Sequence, residues 1–381
     1  MATCFLSLRF ICGGSTFGQF DPIPEVRHAP DYPRQPRSTG GLIRACPRDS
    51  RLQFNCRTPQ FNILMITDSL ASLPSGGIIS YRDTGAVQGA YHTFIFVHGV
   101  GSNKRTWDSI LDYVPPNSRA ITISIRGYGD SKSLSAEQLA LESPPSELHQ
   151  QHATDFLEFL EYIKTNLGVQ KVTALFWSKG CSLALGLYYF PSKTDILDTA
   201  VESIIFFEPP SSAVFGQEHD PTAIACLHTP SDEDPGLRFT KYASGFFRNP
   251  PEYLDSKGKT QPVLEYYHSG VYDPAFQARS KISADRENMR AKQNWFLTDA
   301  PEEREAAAKK AVENIAKSKL KSVGIMWGSE GPPASLLGCW LLEDWLLKDG
   351  RVAKTKQFEG GNHFVHWYRP KEFWNTVLEL S

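Results

Sequence analysis

The feature that most constrains this chain is an alternation that begins near Ile63, in which short apolar runs recur between longer amphipathic stretches. Thr93 to Val97, Ala120 to Ile125, Val172 to Phe176, Ile204 to Phe207 and Ser322 to Trp327 are strand-sized, and Ile78 to Tyr81 reads as a neighbouring strand. A strand apolar at nearly every position is one covered on both faces. Helical patterns lie between them. Trp107, Ile110, Leu111 and Val114 make one buried stripe, and Ala153, Phe156, Leu160, Ile163 and Leu167 make a longer one that Gly168 stops where a left-handed cap belongs. Ser182 onward reads as helix. Pro301 to Lys321 carries Pro in its first turn, Glu302 and Glu303 at the positive end of the helix dipole, and Lys317, Lys319 and Lys321 at the negative end. A last strand near Thr355 to Phe358 and a helix from Pro370 to Leu380 close the chain. Parallel neighbours need crossovers, and these are normally helical. The alternation therefore predicts an α/β fold, a mostly parallel central sheet with helices on both faces.

Two regions break the pattern. Residues 1–60 carry scattered arginines (Arg9, Arg27, Arg34, Arg37 and four more) with several prolines and little periodicity, and are expected to form a poorly packed tail. After Pro209-Pro210 the alternation lapses until about residue 320, which predicts a helical cap over 211–320 inserted between strands six and seven of a domain spanning 61–381, with its core in 61–210 and 321–381. Lys+Arg 40 against Asp+Glu 42 leaves no charge excess for a polyanion, so a nucleic-acid partner is not expected. No apolar run approaches the ~20 residues of a membrane-spanning helix. Seven cysteines, an odd number without a CxxC pair or a histidine cluster at zinc spacing, are expected to be free thiols in a reducing, cytoplasmic setting. Arg9 interrupts the apolar stretch Phe5 to Ile11 and argues against a secretory signal. The Arg/Ser content of the tail suits an organellar transit peptide better, with Asp21, Glu25 and Asp31 against it.

The chemistry concentrates in three places. Val172 to Trp177, then Ser178-Lys179-Gly180-Cys181, is a strand, a sharp turn and a helix with serine at the apex, the context of a nucleophile elbow. Gly180 lets strand and helix approach, whereas Phe176 stands where the G-x-S-x-G pattern has its first glycine and must point into the sheet or widen the turn. Upstream, His98-Gly99-Val100-Gly101 ends an apolar strand. In a serine hydrolase such a turn supplies one oxyanion amide, here that of Val100, to pair with the amide of Lys179. His98 itself reads as a turn residue. Near the C-terminus, Gly360-Gly361-Asn362-His363 places an imidazole just past a strand, where a general base for Ser178 is needed; His366 is the rival, in a context that suggests packing. Cys181, one turn into the helix, reads as a buried small residue. The cap aromatics Phe246, Phe247, Tyr266, Tyr267, Trp295 and Phe296 either line an acyl pocket or form the cap's own core.

The His98-Gly99 turn, Arg126-Gly127-Tyr128-Gly129-Asp130-Ser131, the Trp177-Ser178-Lys179-Gly180 elbow, and Asn362-His363-Phe364 with Trp367 and Pro370 resemble the α/β-hydrolase superfamily in order and spacing, over roughly residues 62 to 381. Within it the chain looks most like the large-capped fungal members of toxin and secondary-metabolite pathways. For the triad acid the resemblance leaves two positions open. The superfamily's common acid lies three residues past the glycine that ends the later strand, where this chain has Gly331, with Glu330 one short. The subfamily's Asp-Pro-Pro after the earlier strand is matched by Glu208-Pro209-Pro210. Glu208 is the favoured reading. The resemblance implies a serine hydrolase of esters or thioesters acting through an acyl-enzyme on Ser178, His363 and Glu208, with no metal or organic cofactor and a small-molecule substrate. A catalytically inert binder, or acyl transfer or C–C cleavage on the same residues, stands as the alternative.

Overall fold

A computed structural model describes residues 66–135, 146–190, 194–211, 215, 243–245, 247 and 297–381. The tail expected over 1–60 and most of the cap expected over 211–320 lie outside them.

The strands form one eight-stranded sheet in the order β1-β2-β4-β3-β5-β6-β7-β8. They are β1 Thr67–Ser72, β2 Ile78–Asp83, β3 His92–Val97, β4 Ser118–Ser124, β5 Val172–Trp177, β6 Val201–Phe207, β7 Ser322–Gly328 and β8 Lys354–Phe358. The β1/β2 and β2/β4 pairs are antiparallel and every other pair is parallel. β3, fifth from the β8 edge, and β5, β6 and β7 beside it run with their carboxyl ends on one side, which gathers the loops after them at one rim.

Both faces of the sheet are covered, as the apolar runs require. Ile95, Val97, Ala174, Phe176, Ile204, Phe206 and Ile325 pack on one side against α2 Ser146–Leu167, α3 Gly180–Tyr189, α5 Arg304–Lys317 and α6 Pro333–Lys348, with α4 Thr194–Ala200 at its edge. The alternate residues Phe94, Phe96, Leu175, Trp177, Ile205, Phe207 and Met326 pack on the other against α1 Asp108–Leu111, α7 Val365–Tyr368 and α8 Pro370–Leu380. This period of two, apolar in both phases, is what makes the strand runs nearly continuous.

The helix boundaries follow local chemistry. Gly168 ends α2 at φ +68, a left-handed residue just past the helix, and the Val169 amide turns back to the Ile163 carbonyl. The helix expected from Trp107 through Val114 is shorter: a 3-10 turn over Lys104–Trp107, capped by the Asn103 side chain on the Arg105 amide, and then the single turn α1. Val114 falls outside it, because Pro115 and Pro116 cannot continue a helix. Pro301–Glu303 is likewise a 3-10 entry into α5, which stops at Lys317; Lys319 pairs with Asp198 at 3.1 Å and the Lys321 amide donates to Glu202 on β6. Behind the rim, Arg126 makes two 2.8 Å bonds to Asp155 on α2, a buried bidentate pair that ties the turn after β4 to the helix layer.

Candidate active site

Ser178 and Glu208 follow the last residues of β5 and β6, and both hold φ +54. With Asn117 they are the three non-glycine residues of positive φ among those described. Such a backbone costs on the order of 1 kcal/mol or more and is retained where the rest of the fold imposes it. Each bend is tied to the next strand in the same way. The Ser178 amide donates to the Phe207 carbonyl at 2.8 Å, and the Glu208 amide to the Met326 carbonyl at 3.0 Å.

The elbow is built against the turn after β3. A Cβ on Gly99 would lie 2.8 Å from Ser178 Cβ and 3.2 Å from its Oγ, and one on Gly180 would lie 2.5 Å from the His98 carbonyl oxygen. Bare glycine at both positions is what lets the two turns close to that distance. Phe176 is fully buried and turned into the helix layer, its ring 5.5 Å from that of Phe156, so the missing elbow glycine is absorbed without opening the turn. The Lys179 side chain is buried; burial, with the Arg304 guanidinium nearby, brings its ammonium down to about 7.

His363 enters from the loop after β8. Asn362 shapes that loop: its Oδ1 accepts the Phe364 amide at 2.9 Å while its Nδ2 donates to the Ser244 carbonyl at 2.8 Å. The imidazole Nδ1 meets Glu208 Oε2 at 2.8 Å, and the other carboxylate oxygen accepts the Gly328 amide at 2.6 Å. Glu208 is completely buried. A carboxylate only accepts, so Nδ1 carries a proton here, and in the neutral tautomer the lone pair falls on Nε2. Trp177, the residue before Ser178, completes the ring of contacts. Its indole N–H donates to the His363 carbonyl at 3.1 Å, and the indole lies 5.1 Å from the imidazole. Ser178, Phe207-Glu208, His363 and Trp177 thus form a closed circuit at the rim.

The other sequence candidates fall elsewhere. Glu330 gives its amide to the Gly361 carbonyl and its carbonyl to the Phe247 amide, while its carboxylate lies toward Gly360 rather than the imidazole. His98 is fully buried, Nδ1 on the Gly99 carbonyl at 2.7 Å and Nε2 accepting the Ile125 amide at 3.2 Å; burial lowers it to about 4 and keeps it neutral. His366 is enclosed by Trp107, Trp177 and Phe373, and burial, with His363 close by, holds it well below its ordinary range. Burial pushes the Cys181 thiol up, so it stays a thiol, directed at the Phe176 carbonyl. Of the cap aromatics, Phe247 is buried; Phe246, Tyr266, Tyr267, Trp295 and Phe296 lie outside the described residues. Trp177 and Asn362 stand in the quoted motifs, one residue before Ser178 and His363, but the indole's bond to the His363 carbonyl and the Asn362 turn were not expected from the sequence.

Residues 94–376 match the family described as alpha/beta hydrolase. The chain belongs to that family. No curated protein matches it. Among solved structures it is similar to the bromoperoxidase from Bacillus anthracis (16% identity, TM-score 0.51, covering 82% of this chain and 99% of that one). The enol-lactonase from Burkholderia xenovorans LB400 is comparable, at 14% identity and TM-score 0.51 over 82% and 99%. So is the esterase from Exiguobacterium antarcticum, at 15% identity and TM-score 0.52 over 82% and 98%. At these identities the likeness is one of fold. Among the described residues of this alpha/beta hydrolase, no helix is long and apolar enough to cross a membrane and no cluster of three or more metal-ligating side chains occurs.

Proposed function

We propose that this alpha/beta hydrolase cleaves an ester or thioester of a small organic or acyl substrate through an acyl-enzyme on Ser178. Ser178 Oγ attacks the carbonyl as His363 Nε2 takes its proton. The Val100 and Lys179 amides receive the oxyanion, and the imidazolium returns the proton to the leaving alcohol or thiol. Water, deprotonated by the same nitrogen, then frees the acid and restores the serine. Glu208 fixes the imidazole's tautomer and offsets its positive charge. The cap over 211–320 would select the substrate.

The observation that carries this reading is the pair of bonds that hold Glu208: Oε2 on His363 Nδ1 and Oε1 on the Gly328 amide. A fully buried carboxylate with one oxygen on an imidazole and the other on a backbone amide has the setting a triad acid needs. The Glu208-Pro209-Pro210 turn also supports a place near the large-capped fungal members, and the esterase and enol-lactonase among the structures of like fold are in keeping with an acyl carbonyl as target.

Pre-steady-state hydrolysis of a short-chain p-nitrophenyl ester tests the proposal. The expected result is a burst of p-nitrophenol of about one equivalent, with kcat reduced by about 10³-fold or more in Ser178→Ala. A folded wild type whose rate Ser178→Ala leaves unchanged would refute it.

A further inference from the structure

Ser178 and His363 follow β5 and β8, two strands with β6 and β7 between them in the sheet. At ~4.8 Å per strand spacing their loops start on the order of 14 Å apart, so the His363 loop has to be drawn back along the rim and held there. The imidazole has its anchor in Glu208. The main chain has another. The Asn362 carbonyl accepts the Val365 amide at 3.1 Å and the Phe364 carbonyl accepts the Trp367 amide at 2.8 Å, whereas the His363 carbonyl between them accepts the indole N–H of Trp177 at 3.1 Å. An indole has one donor and no acceptor, so the packing of its ring sets where that donor aims. Trp177 is buried, with the rings of Phe364, His366, Trp107 and Phe207 centred 4.8, 4.9, 5.9 and 6.4 Å away. Alternation along β5 puts it there. Phe176 faces α2, and Trp177, the last residue of the strand, faces the layer of α1, α7 and α8 into which the His363 loop leads.

We infer that Trp177 is a positioning residue for His363, its N–H fixing the main chain of the base to the strand end whose next residue is the nucleophile. Glu208 sets the rotation and tautomer of the imidazole, and Trp177 sets the place of the backbone that carries it. The end of β5 thus governs both partners, Ser178 through the bend and His363 through the indole, and a shift of that strand end moves the two together. The inference rests on the proposed roles of Ser178 and His363 and goes beyond them, since it names the residue that keeps hydroxyl and base in register.

The test is a double-mutant cycle on the second-order rate at which a fluorophosphonate phosphonylates the full-length protein, a measure of serine activation that needs no knowledge of the natural substrate. Trp177→Phe keeps an aromatic ring without the N–H, and is expected to slow the reaction about tenfold. His363→Ala is expected to slow it by about 10³-fold. Adding Trp177→Phe to His363→Ala is expected to change the remaining rate by no more than about twofold, because no base is left to position. A merely structural role at the elbow would instead act through Ser178 and slow both backgrounds alike. A folded Trp177→Phe that reacts at the wild-type rate overturns the inference, and so does a tenfold slowing that persists in the His363→Ala background. If Trp177→Phe does not fold, replacement of Trp177 by β-(3-benzothienyl)alanine, which keeps the bicyclic shape with sulfur in place of N–H, decides by the same two comparisons. A wild type that is not phosphonylated, or a His363→Ala variant as fast as wild type, overturns instead the underlying roles of Ser178 and His363, and those controls tell the two failures apart.

Discussion

The bends at Ser178 and Glu208 are built to one plan and end in opposite surroundings. Both cap adjacent parallel strands at φ +54, and both give their amide to the next strand along. Past Ser178 a helix starts at once, with Gly180 and Gly99 bare, and the hydroxyl stands at the rim. Past Glu208 come two prolines, and the carboxylate is sunk between His363 and the Gly328 amide with no exposure at all. The same backbone conformation thus leaves one side chain at the rim and sinks the other beside His363. A bend at a strand end sets only direction; the neighbours decide whether the side chain reacts or supports.

The largest expected effect breaks the Glu208 half. Glu208→Gln keeps the shape and removes the charge that the proposed mechanism sets against the imidazolium. It is expected to lower kcat by about 10³- to 10⁴-fold, whereas Glu330→Gln stays within about threefold of wild type; ester hydrolysis under saturating substrate measures both.

The next sharpens the Ser178 half through acid. On α2, His149 donates from Nε2 to the Ser182 carbonyl in the first turn after the elbow, at 2.9 Å, with Lys179, His152 and Phe190 around it. Burial lowers its folded value from 6.5 to about 4. Between those values the unfolded chain binds more protons than the folded one. The stability this neutral ring contributes is therefore complete above 6.5 and lost as pH falls toward 4, by about 3 kcal/mol at most. His149→Gln, which keeps a donor without titrating, is expected to flatten the fall in urea midpoint between pH 6.5 and pH 4.

The smallest effects compare the bends directly. Glu208→Gly relieves the strain but leaves His363 Nδ1–H and the Gly328 amide buried without their acceptor, and is expected to cost about 2 kcal/mol in denaturant titration. Ser178→Gly relieves the same strain with no such loss, and is expected to leave stability unchanged or raise it by up to about 1 kcal/mol.

Where the sequence was readable, it was because burial leaves a periodic mark. β3, β5, β6 and β7 announce themselves as apolar runs, and Gly168 marks the end of α2. β1 leaves none: it is an edge strand whose only buried residue is Ala71. α6 was missed for the opposite reason. Leu336 to Trp345 are apolar almost all round because the helix is covered almost all round, so no stripe shows. The elbow and the His363 loop carry local motifs. The choice between Glu208 and Glu330 does not, since both carboxylates follow a strand and only distance separates them. The sequence shows Gly331 where the superfamily's common acid falls, but only the structure shows the Glu208 carboxylate beside it, 2.7 Å from where a Cβ would stand.

The central claim is that one serine hydroxyl, raised on a strained bend and served by His363, is the nucleophile. Peptide mapping by mass spectrometry after fluorophosphonate treatment of the folded protein tests it most directly. The account predicts a single stoichiometric adduct on the peptide containing Ser178, lost in Ser178→Ala. An unmodified Ser178 in folded protein, or an adduct that persists in Ser178→Ala, would contradict it.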